Sequence, residues 1–181
     1  MSEVRTRWGW HQLDRRWAEL MVVDAGIGPG HLVLDIGAGA GALTRPLVEH
    51  GAQVIAVELH PDRVRSLRDR FIDFDVKVVR ADASDLRLPK RPFRVVANPP
   101  FSITVSILRR LVAPGSRLVR ADVVVPWHIA RRWVSGSGPG SDRWSRTFEV
   151  ELGRRLPRSA FRPPPPSGVA ILTIKRRQSA G

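Results

Sequence analysis

No cysteine occurs anywhere in the chain, so disulfides and thiolate metal sites are excluded. The five histidines show no ligand spacing, and no metal site is expected. No apolar run approaches the roughly 18 residues of a membrane span. The N-terminus carries Glu3 instead of the apolar core of a secretion signal, so a soluble cytoplasmic protein is expected. Acids are scarce as well: 17 Asp and Glu stand against 30 Lys and Arg, for a net charge of +13. Of the basic residues only Lys77, Lys90 and Lys175 are lysines. A coding bias would explain Arg over Lys but not the missing acids. Arginine binds phosphate bidentately and stacks on bases, so the balance points to a nucleic-acid partner. At 181 residues, without internal repeats, the chain suits one domain with a proper core.

The most informative stretch runs from Val33 to Leu43, Val-Leu-Asp-Ile-Gly-Ala-Gly-Ala-Gly-Ala-Leu. A β-type run ends at Ile36, glycines follow at alternate positions, and a helical pattern starts near Ala42. Glycine takes positive φ and lets a ligand lie against the backbone, which makes Gly37, Ala38, Gly39 and Gly41 candidate cofactor contacts. The pattern Asp-x-Gly-x-Gly-x-Gly differs from the dinucleotide fingerprint G-x-G-x-x-G. Asp35 would point its charge into the site, repelling a pyrophosphate and attracting the amino group and sulfonium of S-adenosylmethionine (SAM). A glycine turn without a ligand is the plainer alternative.

Residues 1–12 form a basic, aromatic arm with Arg5, Arg7, Trp8, Trp10 and His11. Such an arm can bind phosphate and stack on bases, or fold back with its tryptophans as packing. The spacing of Leu13, Trp17, Leu20 and Met21 predicts a helix over 13–25. Strands are expected at 32–36, 54–57, 76–81, 95–97 and 121–125, with helices at 42–50, 62–71, 102–112 and 127–134. That alternation implies an open α/β sheet, in which strand C-termini line the ligand crevice. Glu58, followed by Leu59, ends the second strand and is placed to accept hydrogen bonds from ribose hydroxyls. Asp82, followed by Ala83, ends the third and suits the cofactor's adenine amino group, or a cap on the next turn. The arginines at 63, 65, 68 and 70 read as a solvated face. Gly136 to Ser141 reads as a mobile loop bordered by Arg131, Arg132, Arg143 and Arg146, either closing on RNA or simply connecting. Segments 147–152 and 169–174 are expected to pair antiparallel, and Pro163 to Pro166 to form a stiff wall.

The fourth strand delivers Asn98-Pro99-Pro100-Phe101. An adenine N6 amine is a poor nucleophile because its lone pair is delocalised into the ring. The Asn98 side-chain carbonyl and a backbone carbonyl such as that of Pro99 can each accept one of its N–H bonds. Two prolines fix the backbone that aims them, and Phe101 can stack on the base and stabilise charge developing on the nitrogen.

Taken in order and spacing, Asp35 to Gly41, Glu58, Asp82 and Asn98 to Phe101 resemble the rRNA adenine N6-methyltransferases of the Erm and KsgA group. Ser159-Ala-Phe-Arg-Pro-Pro-Pro is similar to the family's late Phe-x-Pro-x-Pro segment. Arg7 to His11 resembles an N-terminal stretch of the short mycobacterial Erm proteins. The resemblance extends nearly to Lys175. It implies a Rossmann-like, class I SAM-dependent methyltransferase fold: a seven-stranded, mostly parallel sheet with helices on both faces. It also implies SAM contacts from Gly37, Glu58, Asp82 and Asn98, with His11 and Leu13 standing where the family carries Gly-Gln-Asn-Phe-Leu. Asn98 would hold the target amine, with Phe101 and Phe161 flanking the base.

The expected organisation is an arm at 1–12, a methyltransferase domain at 13–177 and a tail at 178–181, without a C-terminal helical domain. RNA recognition would then fall to the domain and its arm. The implied substrate is an adenine of the peptidyl-transferase region of 23S rRNA, in free RNA or a large-subunit precursor, met by a monomer. Its methylation would confer resistance to macrolide, lincosamide and streptogramin B antibiotics. That adenine must be unpaired or flipped out to reach a methyl donor. Competing readings are a small-subunit rRNA dimethyltransferase, an NAD-dependent oxidoreductase, a non-catalytic RNA-binding protein and an adenine-specific DNA methyltransferase.

Overall fold

The structure, a computed structural model, describes residues 10–178. In chain order the elements are β1 (Gln12–Leu13), α1 (Arg15–Asp24), β2 (Leu32–Ile36), α2 (Thr44–Glu49), β3 (Gln53–Glu58), α3 (Pro61–Arg70) and β4 (Val76–Arg80). They continue with β5 (Phe93–Ala97), α4 (Thr104–Leu111), β6 (Leu118–Pro126), α5 (Trp127–Val134), α6 (Ser141–Trp144), β7 (Phe148–Leu156), β8 (Phe161–Arg162) and β9 (Val169–Arg176).

Seven strands form one sheet in the order β4-β3-β2-β5-β6-β9-β7. The first five are mutually parallel, and β9 runs antiparallel to both β6 and β7. The central strands are apolar on both faces because both faces are covered. Leu34, Val57, Val95, Val123 and Leu172 face α4 and α5. Val33, Val54, Val96 and Val124 face α1 and α2, and Ala56 on that side meets Leu67 and Phe71 at α3. The expected α/β fold with helices on both faces is the one found. Among the described residues no helix is long and apolar enough to cross a membrane.

Parallel strands share a direction, so the turns leaving their C-terminal ends gather along one edge of the sheet. The glycine loop, Glu58, Asp82 and Asn98 come together there.

Three elements differ from the sequence-based expectation. The first helix starts at Arg15, not Leu13, because Gln12 and Leu13 are extended and pair with Arg162 and Phe161. Asp14 has extended backbone (φ −63°, ψ 145°) and caps the helix through the Arg16 N–H. Residues 10–13 are therefore woven into the fold, and the expected boundary at residue 12 cuts a strand. The helix expected from residue 102 begins as a 3-10 turn, Phe101–Ile103. The 136–141 segment is also not the free loop its glycines suggest. Trp144 stacks on Trp133 with centroids 5.1 Å apart, its Nε1 donates to Pro139 O at 3.2 Å, and Arg132 Nε donates to Ser137 O at 3.0 Å. Two buried indoles outweigh the glycine content.

Trp144→Ala should therefore cost about 3 kcal/mol and open residues 136–146 to protease. Urea unfolding and limited proteolysis check both; unchanged values would mean that the stack does not hold this segment.

Candidate active site

The glycine loop is bound to its neighbours on every side. Gly37, Gly39 and Gly41 all have positive φ, at 77°, 57° and 84°, which disfavours any residue with a side chain. The Gly37 and Ala38 N–H groups donate to Val57 O at 2.8 and 3.0 Å. A Cβ on Gly37 would lie 3.2 Å from both Pro99 Cα and Pro100 Cδ. The loop thus passes directly against the Asn98-Pro99-Pro100 turn.

Glu58, buried at the tip of β3, closes this arrangement. Its Oε2 accepts from the Gly39 N–H at 2.8 Å, and its Oε1 accepts from the N–H groups of Leu59 and His60 at 2.9 Å each. The Leu59 side chain is exposed. Asp82 lies at the surface, where its Oδ1 accepts from the Ser84 N–H and hydroxyl at 2.8 and 2.7 Å. Those two bonds hold its carboxyl below the usual range. Asp82 is therefore a turn cap with its second oxygen unengaged by these bonds, and Ala83 behind it is buried.

Asp35 does not stand open in the site. It is 1 % exposed and its Oδ2 accepts from Thr44 Oγ1 at 2.6 Å. Burial, reinforced by the nearby Glu58 charge and opposed by the Thr44 bond, pushes its carboxyl up to about 7. Sequence patterns do not single out Thr44; a hydroxyl at the start of the helix after the glycines is the one signal it leaves.

Asn98 is fixed by the arm. Its Nδ2 donates to the His11 carbonyl at 2.8 Å. One of the two Nδ2 hydrogens is thereby committed, which fixes the turn of the amide and leaves Oδ1 as its acceptor. The His11 ring stacks on Phe101 at 5.4 Å and its Nδ1 bonds Pro163 O at 2.8 Å. The Asp14 N–H donates to Ala160 O at 2.8 Å, so the arm is clasped to the 160–163 strap at several points. Phe161 is 1 % exposed, packed with Leu13 in the core cluster that Phe101 borders. It supports the cleft wall instead of facing a base, because pairing with Leu13 turns it inward.

Trp10 lies over the loop: a Cβ on Gly39 would sit 2.7 Å from its Nε1, and the Arg63 guanidinium stacks 4.2 Å above its ring. With the indole there, the inner cleft retains a volume of only about 20 Å³. Arg131, Arg132 and Arg143 are exposed on α5 and α6, remote in sequence from this cleft. Arg5, Arg7 and Trp8 lie outside the described residues. Among the described residues no group of three or more His, Asp or Glu could hold a metal ion.

The family model for ribosomal RNA adenine dimethylases matches residues 2–180. The chain belongs to this family.

Among its relatives, an rRNA adenine N-6-methyltransferase of Corynebacterium diphtheriae is 38% identical over 147 residues, 80% of this chain and 57% of that protein. The mycinamicin-resistance protein MyrB of Micromonospora griseorubida is 39% identical over 155 residues, 82% of this chain and 48% of that protein. A ribosomal RNA small subunit methyltransferase A of Synechococcus is 35% identical over 177 residues, 92% and 62%. The crystal structure of the 23S rRNA methyltransferase ErmE superposes with a TM-score of 0.80 at 30% identity, covering 92% of this chain and 69% of that one. The chain thus spans about half to three-fifths of the length of these curated relatives.

Family and fold imply SAM as the methyl donor. The chemistry of the inner cleft's lining suits such a ligand, although the Trp10 indole occupies part of its space. Its lining includes Asp35 and Asn98 and, in a chain of net charge +13, not one Lys or Arg. That lining holds no positive charge to repel a sulfonium and no cation to pair with a pyrophosphate.

Asp35 gives this site a measurable signature. Its folded-state value lies above the unfolded 3.8, so the native state keeps a proton that the unfolded chain releases between about pH 4 and 7. Stability should fall as pH rises through that window, by at most about 4 kcal/mol. Asp35→Asn, which keeps an acceptor for Thr44 and cannot ionise, should lose this component. Urea unfolding at pH 5 and pH 8 compares the two; parallel pH dependence would contradict the buried, proton-holding Asp35.

Proposed function

We propose that the chain transfers a methyl group from SAM to N6 of an adenine in the peptidyl-transferase region of 23S rRNA. It acts as a cytoplasmic monomer on free RNA or a large-subunit precursor. The consequence is resistance to macrolide, lincosamide and streptogramin B antibiotics. The observation that carries the reaction is the Asn98 amide, whose nitrogen is bonded to His11 O at 2.8 Å and whose oxygen is thereby left to accept a proton donor. The large-subunit target is supported by the likeness to the 23S rRNA methyltransferase ErmE, and the resistance by the 39% identical mycinamicin-resistance protein.

SAM, when bound, supplies an electrophilic methyl on a sulfonium. Gly37, Gly39 and Ala38 would offer backbone to it, Glu58 and Asp82 would offer carboxylate acceptors to ribose and adenine, and the arm at His11 and Leu13 would border it. Trp10, which narrows the cleft, would have to move aside to admit it. The target adenine arrives unpaired and stacks on the half-buried Phe101, one side of which is already taken by His11. Asn98 Oδ1 and the Pro99 carbonyl accept the two N6–H bonds, drawing the nitrogen lone pair out of conjugation and toward the methyl. The carbon–sulfur bond would break as the carbon–nitrogen bond forms, the sulfur leaving as a neutral thioether, and the proton of the resulting cationic nitrogen would pass to water, so no strong base is required.

Asn98→Ala should lower the rate of labelled-methyl transfer to unmodified rRNA about 10²- to 10³-fold, as losing one preorganised partner of a developing charge does, with SAM affinity nearly unchanged. Glu58→Ala and Asp82→Ala should weaken SAM binding first. Calorimetry with SAM and a transfer assay separate the roles. Equal loss of SAM affinity in all three would refute the division, and transfer confined to small-subunit rRNA would favour the small-subunit reading that the Synechococcus relative supports.

A further inference from the structure

Beside the glycine loop, outside the inner cleft, an open pocket of about 520 Å³ is walled by Arg15, Arg45 and Arg70, with Glu49 at one side and Phe71 beneath. Two of these guanidiniums are held in position by uncharged partners. Arg45 lies 5.1 Å from the centroids of both Phe71 and Phe74, and Arg70 Nη1 donates to Ala40 O at 2.6 Å. None of the three is in an ion pair among the described residues.

A second charged pocket, below β6 and β9, shows how a structural network is built in this chain. There Arg120 pairs with Asp122, Arg154 with Asp24 and Lys175 with Glu151, so cation and carboxylate cancel. The pocket by the glycine loop holds three cations against one carboxylate. Two of its three cations are held in place, and among the described residues none of the three is paired with a carboxylate. Planar guanidiniums of this kind take phosphate oxygens two at a time. The pocket also shares Gln12, Leu13, Ala40 and Ala42 with the inner cleft, so a strand that delivers a base to Asn98 passes within reach of it.

We infer that Arg15, Arg45 and Arg70 form a receptor for a backbone phosphate of the RNA strand that carries the target adenine. The inference rests on the RNA-methylating function proposed above and adds to it a defined anchoring point within the methyltransferase domain.

The test uses the full chain and a fluorescein-labelled RNA stem-loop with an unpaired adenine, read by anisotropy across a salt series. Arg15→Gln and Arg70→Gln are made singly and together; Arg45 is left in place because it packs on Phe71 and Phe74. The double variant should bind the RNA about tenfold more weakly at near-physiological salt. Its log–log salt slope should be shallower by about 0.7–0.9 for each phosphate it no longer neutralises. SAM affinity by calorimetry should stay within about twofold. Unchanged RNA affinity and slope in a wild type that does bind RNA would overturn this inference alone. A wild type with no RNA affinity would remove the proposed function as well. A parallel loss of SAM affinity would assign the cations to the cofactor's carboxylate and overturn the RNA receptor. Loss of inorganic phosphate binding with RNA binding intact would make this a small-anion site, which also overturns it.

Discussion

The His11 carbonyl takes an N–H of Asn98, and much of the site's geometry depends on that bond. An isolated asparagine amide can turn over and present nitrogen or oxygen; with one Nδ2 hydrogen held by His11 the amide cannot turn over, and Oδ1 is the atom able to accept from an amine N–H. The bond forms because residues 10–13 are extended instead of helical. They are extended because Gln12 and Leu13 pair with Arg162 and Phe161 and Asp14 caps the next helix. His11 then reaches Pro163 with one ring nitrogen and Phe101 with its ring face. A two-residue strand near the N-terminus thus ties the turn after β5 to the strap before β9.

Charge is arranged around the same centre. A chain of +13 would repel a cationic cofactor if its arginines reached the cleft. The inner lining instead carries a buried carboxyl and no basic side chain, while the uncompensated guanidiniums stand just outside on the far side of the glycine loop. The protein separates the two electrostatic tasks by one turn of backbone. Asp35 is the destabilising element of that design, since burial disfavours its charge and the hydroxyl and backbone N–H of Thr44 relieve that only in part.

The parallel core was legible because its signal is local. Continuous apolar runs bounded by glycines mark strands buried on both faces, and the acids and Asn98 at their ends follow from direction alone. Pairing between Leu13 and Phe161 left no such trace; two residues carry no periodicity, and the partner is far away in sequence. Asp35 was visible as a residue and misjudged as an open charge, because burial and the Thr44 hydroxyl are tertiary facts. The Trp133–Trp144 stack was hidden by the glycines between its two halves, which speak only of backbone freedom. Phe161 was read from a motif that does not say which way a ring points once its backbone joins a strand. Asp122, set among apolar residues in β6, makes sense only beside Arg120 and Thr173.

The most direct measurement is to incubate the protein with labelled SAM and both unmodified rRNAs, then map methyladenosines by primer extension and mass spectrometry. N6-methyladenosine at an unpaired adenine of the peptidyl-transferase loop, lost with Asn98→Ala, is the predicted result. The absence of transfer to 23S rRNA, whether free or in assembled particles, would contradict the account.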